Sequence, residues 1–161
     1  MVRVLFVCLG NICRSPTAEG VFRDLVAREG LSEHIEIDSC GTSDWHIGGQ
    51  PDDRAHAEAK TRGISLDDLR ARQIAPDDFD TFDYVIGMDD HNISELTAQC
   101  PKNNVDKVRL FMSFAPALNM REVPDPYYGG PDGFKNVFEM IGSASEGLLA
   151  DIRTHHANAL N

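Results

Sequence analysis

Hydrophobic residues follow two different periods along the chain, and the two kinds of segment alternate. Residues 2–7 are almost continuously apolar, which is typical of a strand buried on both faces of a sheet. Three shorter apolar segments predict further strands, at 35–38, 84–88 and 108–111. The segments between and after the strands have helical spacing or helix-end residues, and they predict helices at 15–30, 52–62, 90–98 and 132–155.

The first and the last predicted helices are the best defined. Ser15 followed by Pro16 predicts a helix start, with the serine as N-cap and the proline in the first helical position, and Gly30 predicts its end. Residues 113–131 are predicted to be irregular. The last helix then presents one apolar face, made of Phe134, Val137, Phe138, Ile141, Leu148, Leu149 and Ile152.

Strands that alternate with helices predict an α/β fold whose parallel sheet has helices on both faces. In such sheets ligands bind at the carboxyl ends of the strands. Cys8 lies at the end of the first predicted strand, so the chemistry is expected there.

The length of 161 residues suits one domain, 1–161, and the formal net charge is −11. A nucleic-acid partner is not expected, because such proteins carry a basic stripe. No apolar run is long enough for a membrane span, and the N-terminal run is interpreted as a strand rather than a signal peptide. The expected location is therefore the cytoplasm. An anion site here would need a local positive field within an acidic protein.

The four cysteines are expected to be reduced thiols in a cytosolic chain of this size. They form no C-x-x-C pair, and the histidines form no closely spaced pair. A structural zinc site is therefore not expected. No cofactor is predicted.

The segment from Cys8 to Pro16, C-L-G-N-I-C-R-S-P, joins the first strand to the first helix. A loop over a helix N-terminus presents backbone N–H groups to an anion, and an arginine fork such as Arg14 clamps two phosphate oxygens. Such surroundings favour a thiolate at Cys8, which could attack phosphorus, and Ser15 could hydrogen-bond to the sulfur. The predicted phosphate-binding loop comprises Leu9, Gly10, Asn11, Ile12, Cys13 and Ser15 between and beside Cys8 and Arg14.

Asp125 is the candidate general acid. Pro124 and Pro126 restrict the backbone on either side of it, so its carboxyl group would be held in one direction. A carboxyl group in that place could give a proton to the leaving oxygen and later take one from water.

Aromatic residues near these groups predict a slot for a flat leaving group. Tyr127 and Tyr128 follow the acid directly, and the single tryptophan, Trp45, lies in a glycine-rich loop. Together with Ile12 they are the candidate substrate rim, and their aromatic character favours an aryl phosphate.

Six motifs resemble those of the low-molecular-weight protein tyrosine phosphatase family, in that family's order and over nearly the whole chain. They are Val7 to Pro16, Asp38 to Thr42, Trp45 to Gly48, Ala71 to Gln73, Phe82 to Asp89, and Asp125 to Gly129.

The resemblance implies a three-layer, doubly wound, four-stranded parallel sheet and metal-free hydrolysis of phosphotyrosine through a cysteinyl-phosphate intermediate. By motif, Cys8 matches the nucleophile, Arg14 the phosphate clamp and Asp125 the general acid. The residues that match the supports of the loop are Asn11, Ser15 and Ser39. Cys13 matches a second cysteine that can trap oxidised Cys8 as a disulfide.

One position departs from the family pattern. Leu69 stands where members usually carry a histidine, just before Arg70 and the A-R-Q motif. The hypothesis is that the loop is held more loosely, or that water or another side chain substitutes. Restoring histidine at position 69 would then raise loop rigidity or activity.

Three alternatives remain open. A thioredoxin-linked arsenate reductase shares the loop and fold but needs a downstream cysteine pair, whereas only Cys40 and Cys100 remain here, far apart in sequence. A protein-arginine phosphatase typically has threonine where Ile12 stands. A silent phosphotyrosine-binding module would lack the nucleophile or the acid.

The expected partners are phosphotyrosine-containing proteins, among them a bacterial tyrosine kinase. The chain is expected to be a monomer or a weak dimer.

Overall fold

The computed structural model describes residues 1–130 and 132–161. Pro131, the last residue of the predicted irregular stretch, lies outside the described residues. Four parallel strands form one sheet in the order β2-β1-β3-β4. The strands are β1 (Val2–Cys8), β2 (Ile35–Gly41), β3 (Tyr84–Gly87) and β4 (Val108–Leu110).

Strand β1 lies in the middle of the sheet and determines where a ligand can bind. It pairs with β2 along its whole length, from Val2 opposite Ile35 to Cys8 opposite Gly41. Its other edge pairs with β3. The chain passes from β1 to β2 on one side, and then crosses from β2 to β3 on the other side of β1. This reversal is a topological switch point, and the crevice there opens beside Cys8.

Helices cover both faces of the sheet. They are α1 (Arg14–Arg28), α2 (Asp53–Thr61), α3 (Asp78–Thr81), α4 (Asp90–Gln99) and α5 (Gly133–His155). Alternate residues of β1 face the two sides: Val4 and Phe6 pack with α1 and α5, whereas Leu5 and Val7 pack with α3 and α4. Helix α2 packs on the outer side of α5 in a separate apolar cluster. The predicted three-layer fold is confirmed.

The four strands and four of the helices lie where the sequence predicted them. Strand β2 is three residues longer than expected, and every residue of the predicted inner face of α5 is buried. Gly30 has a φ of 72° just after α1, as a helix-ending glycine does. The described residues include no helix that is both long and apolar enough to cross a membrane.

The predicted start of α1 is wrong. The helix begins at Arg14, with Cys13 in the N-cap position and no side-chain cap. Ser15 is the second helical residue and Pro16 the third, because the serine hydroxyl is engaged with Cys8 instead of the helix terminus.

Two further differences concern the connections. The short helix α3 was not predicted, because four residues carry too little periodicity. The stretch predicted as irregular contains the 3₁₀ turn Pro116–Leu118, and a second 3₁₀ turn, Phe111–Phe114, overlaps its start.

Candidate active site

The phosphate loop, residues 8–15, is held by backbone hydrogen bonds to two other segments, one at residues 42–43 and one at residue 52. The carbonyl oxygens of Cys8, Leu9 and Ile12 accept from the N–H groups of Thr42, Ser43 and Asp52 at 2.9, 3.0 and 2.8 Å. These bonds direct loop carbonyls toward neighbouring backbone. An anion cradle requires this, because N–H groups rather than carbonyls must face the ligand.

Asn11 determines the curvature of the loop. Its φ of 56° is in the left-handed region, which asparagine tolerates better than most residues. Its amide nitrogen donates to Ser15 Oγ at 2.8 Å and to Ser39 Oγ at 3.0 Å, and its Oδ1 accepts from the N–H of Arg72 at 3.0 Å. One buried side chain thus ties the loop to α1, to β2 and to the segment after Leu69.

Cys8 lies at the floor of the loop and is buried. Its sulfur is 3.0 Å from the hydroxyl of Ser15. That hydroxyl already accepts from Asn11, so its own proton is available to the sulfur or to the carbonyl oxygen of Cys40 at 3.3 Å. A thiolate at Cys8 would accept a hydrogen bond from this hydroxyl and be stabilised by it.

Arg14 is only 3% exposed, and its guanidinium is fixed from two sides. Nη1 donates to Asp89 at 2.6 Å and to the carbonyl oxygen of Val123 at 3.0 Å. Burial lowers the pKa of Arg14, but Cys8 and the Asp89 carboxylate outweigh burial and raise the pKa above its ordinary value. The group is therefore a permanent cation with a fixed orientation beside the thiol.

Asp89 was not among the predicted site residues. It is the N-cap of α4, where its carboxylate accepts from the N–H of Asn92 while also accepting from Arg14. Its place just after β3, which neighbours β1, was the signal that could have identified it.

Asp125 lies at the mouth of the same cleft. Its Oδ2 is 3.7 Å from Nη2 of Arg14, and its Oδ1 accepts from the N–H of Tyr127 at 3.0 Å. The side chain is 41% exposed, so water has access to it. We call residues 125–128 the acid loop.

The predicted rim residues surround the opening of the cleft. The structure brings Ile12, Trp45, Tyr127 and Tyr128 together around Cys8. Trp45 is 70% exposed and Tyr128 is 92% exposed, so both side chains present large surfaces to the solvent. The two tyrosine rings pack edge to face, with centroids 4.8 Å apart. His46 also lines the cleft and was not predicted.

Leu69, which stands where the family usually has histidine, is an apolar packing residue, and a hydrogen-bonded carboxyl group lies on the other side of Ser39. Leu69 is buried in the apolar cluster of Leu66 and Phe134. Ser39 donates its proton to Oε1 of Glu19 at 2.7 Å, while it accepts from Asn11. Burial raises the pKa of Glu19 to about 7, although the bond from Ser39 counteracts this. Glu19 was not predicted, because a glutamate within a helix gives no sign of burial.

Cys13 is a second thiol beside the cleft, and its pKa is affected by Cys8. It is buried, and burial raises the pKa of its thiol well above the ordinary value, with Asp52, Cys8 and Asp125 adding to the effect. Cys13 is therefore a protonated thiol at neutral pH.

Comparisons with known proteins identify the family of this chain. The family model for low molecular weight phosphotyrosine protein phosphatases matches residues 3–158. The low molecular weight protein-tyrosine-phosphatase YfkJ of Bacillus subtilis is 43% identical over 153 residues, which are 95% of this chain and 97% of YfkJ.

Solved structures give the same result. A protein tyrosine phosphatase from Entamoeba histolytica superposes with a TM-score of 0.91 at 39% identity, covering 98% of this chain and 99% of that chain. A Drosophila arginine phosphatase superposes with a TM-score of 0.87 at 31% identity, covering 96% of this chain and 99% of that chain. The chain belongs to the low molecular weight phosphotyrosine protein phosphatase family and is a phosphatase that hydrolyses phosphotyrosine.

Proposed function

We propose that the protein hydrolyses protein phosphotyrosine through a cysteinyl-phosphate intermediate, with Cys8 as nucleophile, Arg14 as phosphate clamp and Asp125 as general acid and base. The observation that carries this proposal is that all three side chains line one cleft at the switch point of the sheet. The aromatic rim around that cleft suits a phenyl ring, because aromatic groups pack favourably edge to face or offset.

In the first step the thiolate of Cys8 attacks phosphorus, so that the S–P bond forms as the P–O bond to tyrosine breaks. Asp125 gives its proton to the departing phenolic oxygen. The guanidinium of Arg14 and the N–H groups of the phosphate loop balance the charge on the other phosphate oxygens.

In the second step water attacks phosphorus and the S–P bond breaks. Asp125, now ionised, takes a proton from the attacking water and regains the form it had at the start. The sulfur leaves as a thiolate, to which the hydroxyl of Ser15 donates from 3.0 Å. Inorganic phosphate is the product.

Two substitutions test these roles. Cys8→Ser should abolish turnover of phosphotyrosine peptides. Asp125→Asn should lower kcat/KM by about 10²- to 10⁴-fold, the usual contribution of a positioned proton donor. Cys100→Ser is the matched control, because Cys100 lies at the end of α4 away from the cleft. Turnover that persists in Cys8→Ser would overturn the proposal.

Phosphoarginine is a second candidate substrate, because an arginine phosphatase is among the structural relatives. Ile12 lines the cleft and presents an apolar surface to the substrate. We expect kcat/KM for phosphotyrosine peptides to exceed that for phosphoarginine peptides, and Ile12→Thr to narrow the difference. The opposite preference in the unmodified protein would favour the second candidate.

The physiological substrates are proposed to be tyrosine-phosphorylated proteins in the cytoplasm, including a bacterial tyrosine kinase. The Asp125→Ala variant should retain such proteins, because it binds phosphotyrosine but releases the phenol slowly. Recovery should be lost when free phosphotyrosine competes for the cleft.

A further inference from the structure

Arg54 lies outside the phosphate loop, yet it connects the two loops that carry the proposed chemistry. It is the second residue of α2, two positions after the N-cap Asp52. The N–H of Asp52 donates to the carbonyl oxygen of Ile12 in the phosphate loop at 2.8 Å. The start of α2 is therefore fixed relative to the phosphate loop.

The guanidinium of Arg54 has a defined orientation. Nε and Nη2 donate to the two carboxylate oxygens of Asp52, each at 3.0 Å, in a two-point contact. The carboxylate also accepts from the backbone N–H of Arg54 at 2.9 Å. A lysine ammonium could not make this contact, because only the arginine fork supplies two parallel donors.

The third guanidinium nitrogen of Arg54 contacts the acid loop. Nη1 donates to the carbonyl oxygen of Tyr127 at 3.0 Å. The guanidinium carbon lies 5.3 Å from the centroid of the Tyr127 ring and 4.7 Å from that of Phe134 in α5, within the range of cation–π contacts. Backbone and ring of Tyr127 are thus both held by one side chain.

Tyr127 in turn orients the acid. Its N–H donates to Oδ1 of Asp125 at 3.0 Å, which leaves Oδ2 toward Arg14. The carboxyl group is 41% exposed, so packing does little to restrict it. The series of hydrogen bonds from Asp52 through Arg54 and Tyr127 therefore holds the carboxyl group of Asp125 in its orientation.

We propose that Arg54 is a positioning residue that holds Asp125 in place for proton transfer, acting through Tyr127; this inference rests on the proposed role of Asp125 as general acid. Loss of Arg54 leaves the nucleophile and clamp intact but lets the acid loop move. A small displacement of a catalytic group is enough to slow its step.

The leaving group distinguishes this role from a merely structural one. A proton donor matters most when the departing phenol is weakly acidic, as tyrosine is, and least when it is strongly acidic, as nitrophenols are. Arg54→Met should lower kcat/KM about tenfold for phosphotyrosine and less than about twofold for a dinitrophenyl phosphate.

Two further variants separate position from charge. Arg54→Lys keeps the cation but lacks the fork, so it should resemble Arg54→Met; full activity in the lysine variant would mean that charge alone is needed. Arg62→Met is the matched control, because Arg62 ends the same helix, pairs with Glu58 and lies over Phe138 at 5.2 Å. It should leave the leaving-group dependence unchanged.

A double-substitution cycle tests the route through the acid. If Arg54 acts through Asp125, adding Arg54→Met to Asp125→Asn should cause no further loss of kcat/KM. Additive losses would overturn the positioning role of Arg54. If Asp125→Asn itself shows no dependence on the leaving group, the acid assignment fails. If the loss depends on the leaving group in Asp125→Asn but not in Arg54→Met, the positioning inference fails while the acid assignment stands.

Discussion

Glu19 is a buried carboxyl group that contacts the support of the phosphate loop rather than the loop itself. It accepts the proton of Ser39 at 2.7 Å, and Ser39 accepts from Asn11. The groups that face it are Ser39 and Asp38 on β2, Arg23 on its own helix and Asp68 in the segment before Leu69; only Ser39 and Arg23 favour its charged form.

Glu19 should make the stability of the protein depend on pH. Its pKa rises from 4.5 to about 7 in the folded state, so the folded protein binds this proton more tightly than the unfolded chain does. The stability from this site is present below pH 4.5 and is lost as pH rises toward 7. The free energy of unfolding of Glu19→Gln relative to the parent should therefore increase by up to about 3 kcal/mol across that window.

Urea denaturation of both proteins at pH 5 and pH 7.5 measures this difference. Glu139→Gln, an exposed change on α5, is the control and should show no such trend. A Glu19→Gln difference that is equal at the two pH values would show that Glu19 does not titrate there.

Cys13 should protect the nucleophile from lasting oxidation. Peroxide converts the thiolate of Cys8 to a sulfenic acid, and the Cys13 thiol can then form a disulfide with it as water leaves. Activity should return after dithiothreitol in the parent but not in Cys13→Ser. Because the Cys13 pKa is raised, disulfide formation should be faster at higher pH. Equal recovery of both proteins would contradict the role.

At the scale of elements, the end of β2 approaches the phosphate loop too closely for any side chain. A Cβ atom on Gly41 would lie 2.7 Å from the carbonyl oxygen of Leu9 and 3.2 Å from the N–H nitrogen of Asn11. Both contacts are with backbone, which cannot move without changing the loop. The strand thus sets the shape of the loop beside it.

Gly41→Ala should therefore lower activity more than the addition of a single methyl group would suggest. We expect kcat/KM to fall at least tenfold and stability to fall by about 1–3 kcal/mol, the usual cost of overpacking. Gly142→Ala is the control: no atom lies within 4 Å of its added Cβ, and alanine should stabilise α5 by about 0.5–1 kcal/mol. An active, stable Gly41→Ala protein would show that the loop adapts.

At the scale of the whole molecule, the cation Arg14 lines a cleft in a protein of net charge −11. Arg14 acts at short range inside the cleft, whereas the acidic surface acts over roughly a Debye length, about 10 Å at 0.1 M salt. Negatively charged substrates are thus repelled by the acidic surface at a distance and attracted by Arg14 at contact.

Salt should reveal this long-range field. For phosphotyrosine peptides with acidic flanks, kcat/KM should rise between low and moderate sodium chloride, because screening removes repulsion. For basic flanks it should fall, and for uncharged flanks it should change least. The same salt response for all three peptides would mean that the surface charge plays no part in association.

The order of the strands and helices could be predicted from the sequence, because apolar periodicity reflects burial that each segment needs locally. The phosphate loop and Asp125 were also predictable, because contiguous motifs carry their chemistry. The N-cap assignment of Ser15 failed, since a local helix signal cannot show that a hydroxyl is engaged by a thiol on the preceding strand.

Cys8, Arg14, Asp125 and the aromatic rim were determined as candidates by the sequence alone, through residue type and spacing. Only the tertiary structure decided what holds them. Arg14 meets Asp89 across 75 residues, Ser39 meets Glu19 across 20, and Arg54 meets Tyr127 across 73. Such contacts leave no local pattern, because they arise only when the sheet and its helices bring distant segments together.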